Sequence, residues 1–329
     1  MQARAPIESP ALWRAADVVD PSQWTQPMTD EQRIEVVAAA WAAEARGRTP
    51  ATLRPADFEL PSLRYAMAVW NEVLERGRGF ILLRGFPVDE LTPAQIELAY
   101  VGLGMQLGTP VSQDAKGSVL GHVRDEGVER LDPTVRLYQT NQRQDFHTDA
   151  ADIIGLLCIR PALAGGESRI ASAAAVYNEI LARRPDLLEV LYEPMFWDRN
   201  GEESEGEDPY FALPVLSDVG GVPRMFFIGW YIRDAQRHPE VPRLTGDQLA
   251  ALELIEEIAN DPGVHLEMAF EPGDIQLLAN AKILHCREAY RDDPDPARRR
   301  HLLRLWLSAH RFASVDNVLR GGIPTKKGA

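Results

Sequence analysis

The sequence predicts a mainly β fold with flanking helices, of the α+β class, whose strands form a jelly roll or barrel rather than a parallel sheet. Three observations carry this. The first third has helical apolar spacing; from about residue 118 onward short strand-like runs alternate with turn residues; and 45% of the 329 residues are hydrophobic, enough to bury the core of one elaborate domain.

Taken in order, Thr29 or Asp30 is positioned to cap a helix with Ile34, Val37, Ala40 and Trp41 on one face. Ser62 opens a second helix, with Ala66, Val69, Trp70 and Val73 inward. Thr92-Pro93 starts a third, because proline at the first helical position gives up an N–H that has no partner there. Between the last two, 79–84 reads as a buried strand closed by Gly85 and Pro87. Further strands are expected at 118–123, 135–140, 153–160, 167–171, 211–216, 223–229, 263–269, 274–279 and 299–309, with helices at 172–192 and 245–260. The Glu-rich stretch 201–208 has no apolar period and reads more readily as a solvated loop than as an active-site lid. Residues 1–60 form an N-terminal helical extension packed on the core, 61–315 the main domain, and 316–329 a tail.

Lys and Arg total 35 against 49 Asp and Glu, a net charge of −14, so the overall field repels phosphate backbones and anionic membranes as general partners. A small anionic substrate is still permitted, since a few arginines can reverse the potential inside a pocket. The two cysteines, Cys158 and Cys286, allow no disulfide framework and no cysteine-rich zinc site. With no long apolar run and no basic-then-apolar start, a cytoplasmic location is expected, and a homo-oligomer is compatible with the sequence.

A histidine and a carboxylate two apart on an extended segment point the same way and can share a metal. About one such pair should arise by chance in a chain of this composition, and three occur: His147-Thr-Asp149, His238-Pro-Glu240 and His265-Leu-Glu267. The 238 pair lies in a proline-bracketed connection and reads as an exposed turn. The 265 pair enters an alternating segment in which His265 and Glu267 face solvent and Leu266 and Met268 the core. The 147 pair gains from His285, near the end of the apolar segment 274–285, because two histidines and one carboxylate bind one face of an octahedral iron(II) and leave three positions open.

The strand 299–309 is the deciding segment. Its alternation puts Arg300, Leu302, Arg304 and Trp306 on one face and His301, Leu303, Leu305 and Leu307 on the other, so Arg304 sits deep in an apolar strand. A buried guanidinium needs an anion; a structural carboxylate or a bound dicarboxylate would serve, and the planar fork of arginine suits either.

Five stretches in this order, Phe146-His-Thr-Asp149, Gly165-Gly-Glu-Ser168, Pro272-Gly-Asp274, His285-Cys-Arg287 and Arg300-His-Leu-Leu-Arg304, resemble the TauD/TfdA family of iron(II)/2-oxoglutarate dioxygenases over about residues 65–312. The resemblance implies a double-stranded β-helix (a cupin-like jelly roll), with His147, Asp149 and His285 as the iron ligands and catalytic centre. It implies that Arg304 binds the distal carboxylate of 2-oxoglutarate, and that Arg300 matches a second arginine beside the co-substrate or the substrate. Ser168 stands where the family often has threonine and keeps a hydroxyl for the co-substrate. The implied reaction uses O2 and 2-oxoglutarate, releases succinate and CO2, and oxidises a C–H bond of a small anionic or zwitterionic molecule such as an amino acid, carboxylate or sulfonate. Hydroxylation is the simplest outcome, with desaturation or ring closure as alternatives at the same iron. A metal-dependent jelly-roll enzyme without 2-oxoglutarate is the alternative class, and the arginine strand and Ser168 argue against it. Gln139, Asn141, Arg143, Asp152, Arg287 and Tyr290 are candidates for the substrate pocket by closeness in sequence to the ligands, and Arg287 is the preferred anion partner. Cys286 should point away from the metal.

Overall fold

The computed structural model describes residues 4–128, 135–309, 312 and 322–325. Three helices form one outer layer. Thr29 caps Asp30–Ala45 and Thr92 caps Pro93–Met105, each closing a capping box with a glutamine three residues on, while Arg64–Glu75 follows a 3-10 turn at Pro61–Leu63. The first helix turns Val36, Val37, Ala40 and Ala43 inward, whereas Ile34 and Trp41, expected on the buried face, are 66% and 56% exposed. A 3.6-residue period sets those two roughly 130–150° away from the centre of the Val36–Ala40–Ala43 stripe, and this helix packs against the neighbouring helix Pro93–Met105.

Two sheets make the core. The larger runs Thr25–Pro27, Phe80–Arg84, Ile275–Ala279, Ile153–Arg160, His301–Ser308 and Thr109–Pro110, with Leu120–Val123 also paired to His301–Ser308. The smaller runs His265–Met268, Ser168–Ser172, Ile283–Arg287 and Gln144–His147. All pairings in both are antiparallel except Thr25–Pro27 with Phe80–Arg84. The pleat of the larger sheet sends Ile81, Leu83, Leu277, Leu157, Leu303, Leu305 and Leu307 to the helices. It sends Phe80, Leu82, Ile154, Leu278 and Trp306 toward the smaller sheet. The smaller sheet turns Leu284 and Cys286 outward onto a second helical layer that includes Val176, Ile180, Leu252 and Ile255. Between the sheets lies the space that holds the polar residues of the site, the arrangement of a double-stranded β-helix.

Several expectations change. Residues 135–140 form a 3-10 turn, Leu137–Gln139, instead of a strand, because the edge they would join is already paired along Leu120–Val123. Pro185 divides 172–192 into Ala173–Arg183 and Pro185–Val190. The stretch 274–285 is two strands joined by a 3-10 turn at Asn280–Lys282, so His285 lies mid-strand. His265 is buried, with Nδ1 3.1 Å from the Ala259 carbonyl, so it is a hydrogen-bonded core histidine rather than a solvent-facing one. Strands at Gln144–His147 and Pro194–Asp198, and the helix Gly229–Asp234, were not expected. Most of the tail at 316–329 lies outside the described residues.

Candidate active site

His147 and His285 occupy directly opposed positions on adjacent antiparallel strands, with ring centroids 4.1 Å apart. Asp149 follows where the strand ends. His285 Nε2 is 3.6 Å from Asp149 Oδ2, and His147 Nε2 is 4.0 Å from Asp149 Oδ1. All three side chains are buried, and their ligand atoms lie within 4.8 Å of one another.

Neighbours fix His147 and Asp149. His147 Nδ1 lies 2.8 Å from the Asp145 carbonyl, the geometry of an N–H donor, which leaves Nε2 facing the cluster. Trp306 Nε1 donates to Asp149 Oδ2 at 3.0 Å. Asn280 grips the Asp149 backbone from both sides: its Oδ1 accepts from Asp149 N at 2.8 Å, and its Nδ2 donates to Asp149 O at 2.5 Å. Thr148, between the two ligands, accepts from Phe227 N and so ties in the segment that carries Trp230 and Tyr231.

Burial by itself would raise the Asp149 pKa, but Arg304, His285, His147 and the Trp306 hydrogen bond together hold the carboxyl below its usual range. Burial, reinforced by His147, pushes His285 down to about 3. Both histidines are therefore neutral and the carboxylate charged, the protonation states that ligate a divalent cation.

Two cavities flank the cluster. The smaller, about 450 Å3, is lined by Ser168, His285, Arg287, Arg300 and Arg304. The larger, about 810 Å3, is lined by His147, Asp149, Arg136, Arg199, Glu202, Trp230, Tyr231, Arg304 and Trp306. His147, Gln144, Tyr138 and Arg304 belong to both walls.

Arg304 forms part of that partition. Its Nε donates to Gln113 Oε1 at 2.8 Å, its Nη1 lies 3.7 Å from Asp149 Oδ1, and its guanidinium sits over the rings of Tyr138 and Trp306. The buried charge thus finds its carboxylate in a member of the metal cluster. Arg300 reaches the smaller cavity only, stacked on Tyr290, with its buried Nη1 unpartnered. Arg287 donates through Nη2 to the carbonyls of Leu137 and Gln142, and its Nε and Nη1 are buried and unpartnered. Burial pushes Arg287 down to about 10, with Arg300 beside it. Two buried guanidiniums with unmade hydrogen bonds in one cavity are the signature of a place for an anion. Ser168 closes the other end, sharing hydrogen bonds of 3.1–3.2 Å with Gln276. Gly165 and Gly166 precede it at φ 76° and 78°. A Cβ on Gly165 would come 2.3 Å from the Ala289 carbonyl, so the turn needs glycine there.

Of the six pocket candidates, Arg287 alone is among the described residues that line these two cavities. Gln139 donates to Glu126 on the surface, the Asn141 backbone pairs with Tyr290, and Arg143 is engaged with Glu288 and Asn260. Asp152 accepts from Ala309 N, anchoring the end of the arginine strand, and Tyr290 is the stacking surface for Arg287 and Arg300. Closeness in sequence does not bring these five side chains to the walls of the two cavities. The residues that wall the larger cavity, Arg136, Glu202, Trp230 and Tyr231, come from loops and a helix distant in the chain. The adjacent aromatics Trp230-Tyr231 were the one local signal for them.

Residues 44–306 match the model of the family described as "Taurine catabolism dioxygenase TauD, TfdA family". The chain belongs to this family. Among TauD/TfdA relatives, the FR-33289 synthase of Streptomyces rubellomurinus is 36% identical over 93% of this chain and 91% of that protein. The taurine hydroxylase-like protein SAT17 of Stachybotrys chartarum is 33% identical over 84% and 73%. An asparagine oxygenase solved with Fe(II), hydroxyasparagine and succinate shares the fold at a TM-score of 0.65 and 17% identity, covering 86% of this chain and 93% of that one. As a TauD/TfdA enzyme this is an iron(II)/2-oxoglutarate dioxygenase, and its buried His147, Asp149 and His285 have the donor chemistry that iron(II) takes. Among the described residues, no helix is long and apolar enough to cross a membrane.

Proposed function

We propose that the enzyme hydroxylates a C–H bond of a small anionic or zwitterionic molecule seated in the larger cavity, with 2-oxoglutarate in the smaller one. The single observation behind this is that the metal cluster stands between two cavities of different character. The smaller holds buried guanidiniums with unmade hydrogen bonds and a serine hydroxyl; the larger combines arginines with aromatic walls. Two of the similar proteins are named for taurine and asparagine, both zwitterions with an acidic group.

His147, Asp149 and His285 would hold iron(II), which would supply the oxidative chemistry that consumes O2 and 2-oxoglutarate. The protein's own part is placement. Trp306 and Asn280 fix Asp149, and the Asp145 carbonyl fixes the His147 ring. The smaller cavity, which Asp149 does not line, would take the 2-oxoglutarate carboxylate that the metal does not. Arg300, with Ser168 and Arg287, suits that carboxylate. Arg304, 3.7 Å from Asp149, suits the metal side and faces the substrate. This exchanges the roles that the family resemblance alone implies for the two arginines.

A panel of amino acids, carboxylates and sulfonates is the test, read as succinate released above the substrate-free rate. Stimulation confined to acidic or zwitterionic members is the expected outcome. Stimulation confined to neutral or cationic compounds would overturn the substrate class.

A further inference from the structure

The wall of the larger cavity contains an ion pair that joins two loops. Arg136 precedes the 3-10 turn Leu137–Gln139, and Glu202 lies in the loop between the strands Pro194–Asp198 and Tyr210–Pro214. The Arg136 guanidinium pairs with the Glu202 carboxylate through Nη2 and donates to the Tyr231 hydroxyl through Nη1. All three side chains line the cavity, and those of Arg136 and Glu202 are only 20% and 18% exposed. A charge pair in that setting is costly to desolvate and stays because each partner satisfies the other.

The two partners are not equally anchored. Arg136 keeps Tyr231 as a second partner. Glu202 rides on a loop whose root is pinned. At the root, Asp198 is buried and binds both Arg237, at 2.7 and 3.1 Å, and His238, at 3.0 Å, while the Arg199 amide donates to the Pro209 carbonyl at 2.9 Å. Just beyond it, Asn200 at φ 58° and Gly201 at φ 75° turn the chain inward through two left-handed residues, a conformation that asparagine and glycine tolerate best. The hydrogen bonds between Ser204 and Glu207 stay within the loop, and Gly206 adds another left-handed residue. Release of the Glu202 side chain breaks its pair with Arg136 and none of the bonds that the Asp198 carboxylate makes.

We propose that Arg136 is a specificity-determining residue that takes an oxyanion of the substrate, a carboxylate, sulfonate or phosphate group, in exchange for Glu202. The Glu202 carboxylate is a built-in stand-in for that group. Two anions cannot share one guanidinium in a low-dielectric cavity without mutual repulsion, so substrate binding and release of the loop are one event. The opposite assignment, Glu202 as receptor for a substrate ammonium, would require the ammonium to break a pair in which the arginine is the better-anchored member. The inference rests on reading the larger cavity as the substrate site.

The test uses the full-length protein loaded with iron(II) and 2-oxoglutarate without oxygen. Acetate, methanesulfonate, inorganic phosphate and methylammonium serve as probes, each titrated by its effect on the visible absorption of the loaded enzyme. Glu202→Gln should tighten binding of at least one oxyanion tenfold or more, and Arg136→Gln should weaken the same one by as much, with methylammonium unmoved. The three oxyanions distinguish the group preferred. The double variant Arg136→Gln/Glu202→Gln leaves no buried charge unpaired, so its oxyanion binding should match that of Arg136→Gln even if the single variant folds poorly. Methylammonium binding lost in Glu202→Gln, or oxyanion binding equal in all forms, would overturn the proposal. The 2-oxoglutarate affinity measured in the same samples separates that failure from failure of the co-substrate reading, which would show as no absorption band in any form.

Discussion

Replacing Arg300 by glutamine should weaken 2-oxoglutarate binding by roughly 30-fold to 100-fold. Arg300 is 4% exposed, its Nη1 has no partner, and of the two cavities it borders the smaller alone. Removing one member of a buried charge-assisted pair costs about 2–5 kcal/mol, and each 1.4 kcal/mol is tenfold in affinity. Arg287 and Ser168 remain to share the carboxylate in the variant, which places the loss near the lower end of that range. Anaerobic titration of the iron-loaded protein with 2-oxoglutarate, followed by its visible charge-transfer absorption, gives the constant directly. The same titration on Arg304→Gln supplies the comparison. If Arg300→Gln binds 2-oxoglutarate as the unaltered protein does while Arg304→Gln loses it, the partition of the two arginines is wrong, and Arg304 is the anchor.

Trp306→Phe removes the indole N–H from Asp149 while keeping an aromatic ring, and iron affinity should fall on the order of 10-fold to 100-fold, measured by competition with a chelator. Leu303→Ala, on the opposite face of the same strand and fully buried, should cost about 2–5 kcal/mol in urea unfolding. His301 is held down to about 4, first by burial and then by His122, whose Nδ1 lies 2.9 Å from its Nε2. An unfolded histidine titrates near 6.5, so between those values the unfolded chain binds the extra proton. The stability from this group is complete above about pH 6.5 and is lost as pH falls toward 4. His301→Gln should therefore show a shallower fall in urea midpoint over that window, and an unchanged slope would assign the pH dependence to other groups.

The parts of the site that regular structure carries were legible in the sequence. Period-two alternation correctly separated Arg304 and Trp306 from Leu303, Leu305 and Leu307, because a strand between two packed layers has no freedom to place them otherwise. Thr29 and Thr92 marked helix starts for the same local reason, each closing a capping box. What escaped was set by tertiary contact. Ile34 and Trp41 fit an apolar stripe, yet the neighbouring helix decides which stripe is covered. Asn280 holds Asp149 across 131 positions, and Glu202, in a stretch that reads as solvated, is drawn inward by Arg136. Polar residues satisfied by distant partners leave no periodic trace.

The arginine strand has a further consequence for how the chain acquires activity. Its two faces serve different masters, the helical core on one side and the metal cluster on the other, and both are set by one register against Ile153–Arg160. A slip by one residue would drive Arg304 and Trp306 into the helix-facing core while turning Leu303 and Leu305 toward Asp149. No misregistered chain can therefore be stable but inactive through this strand. The hydrophobic effect that selects the fold proofreads the catalytic residues at the same time.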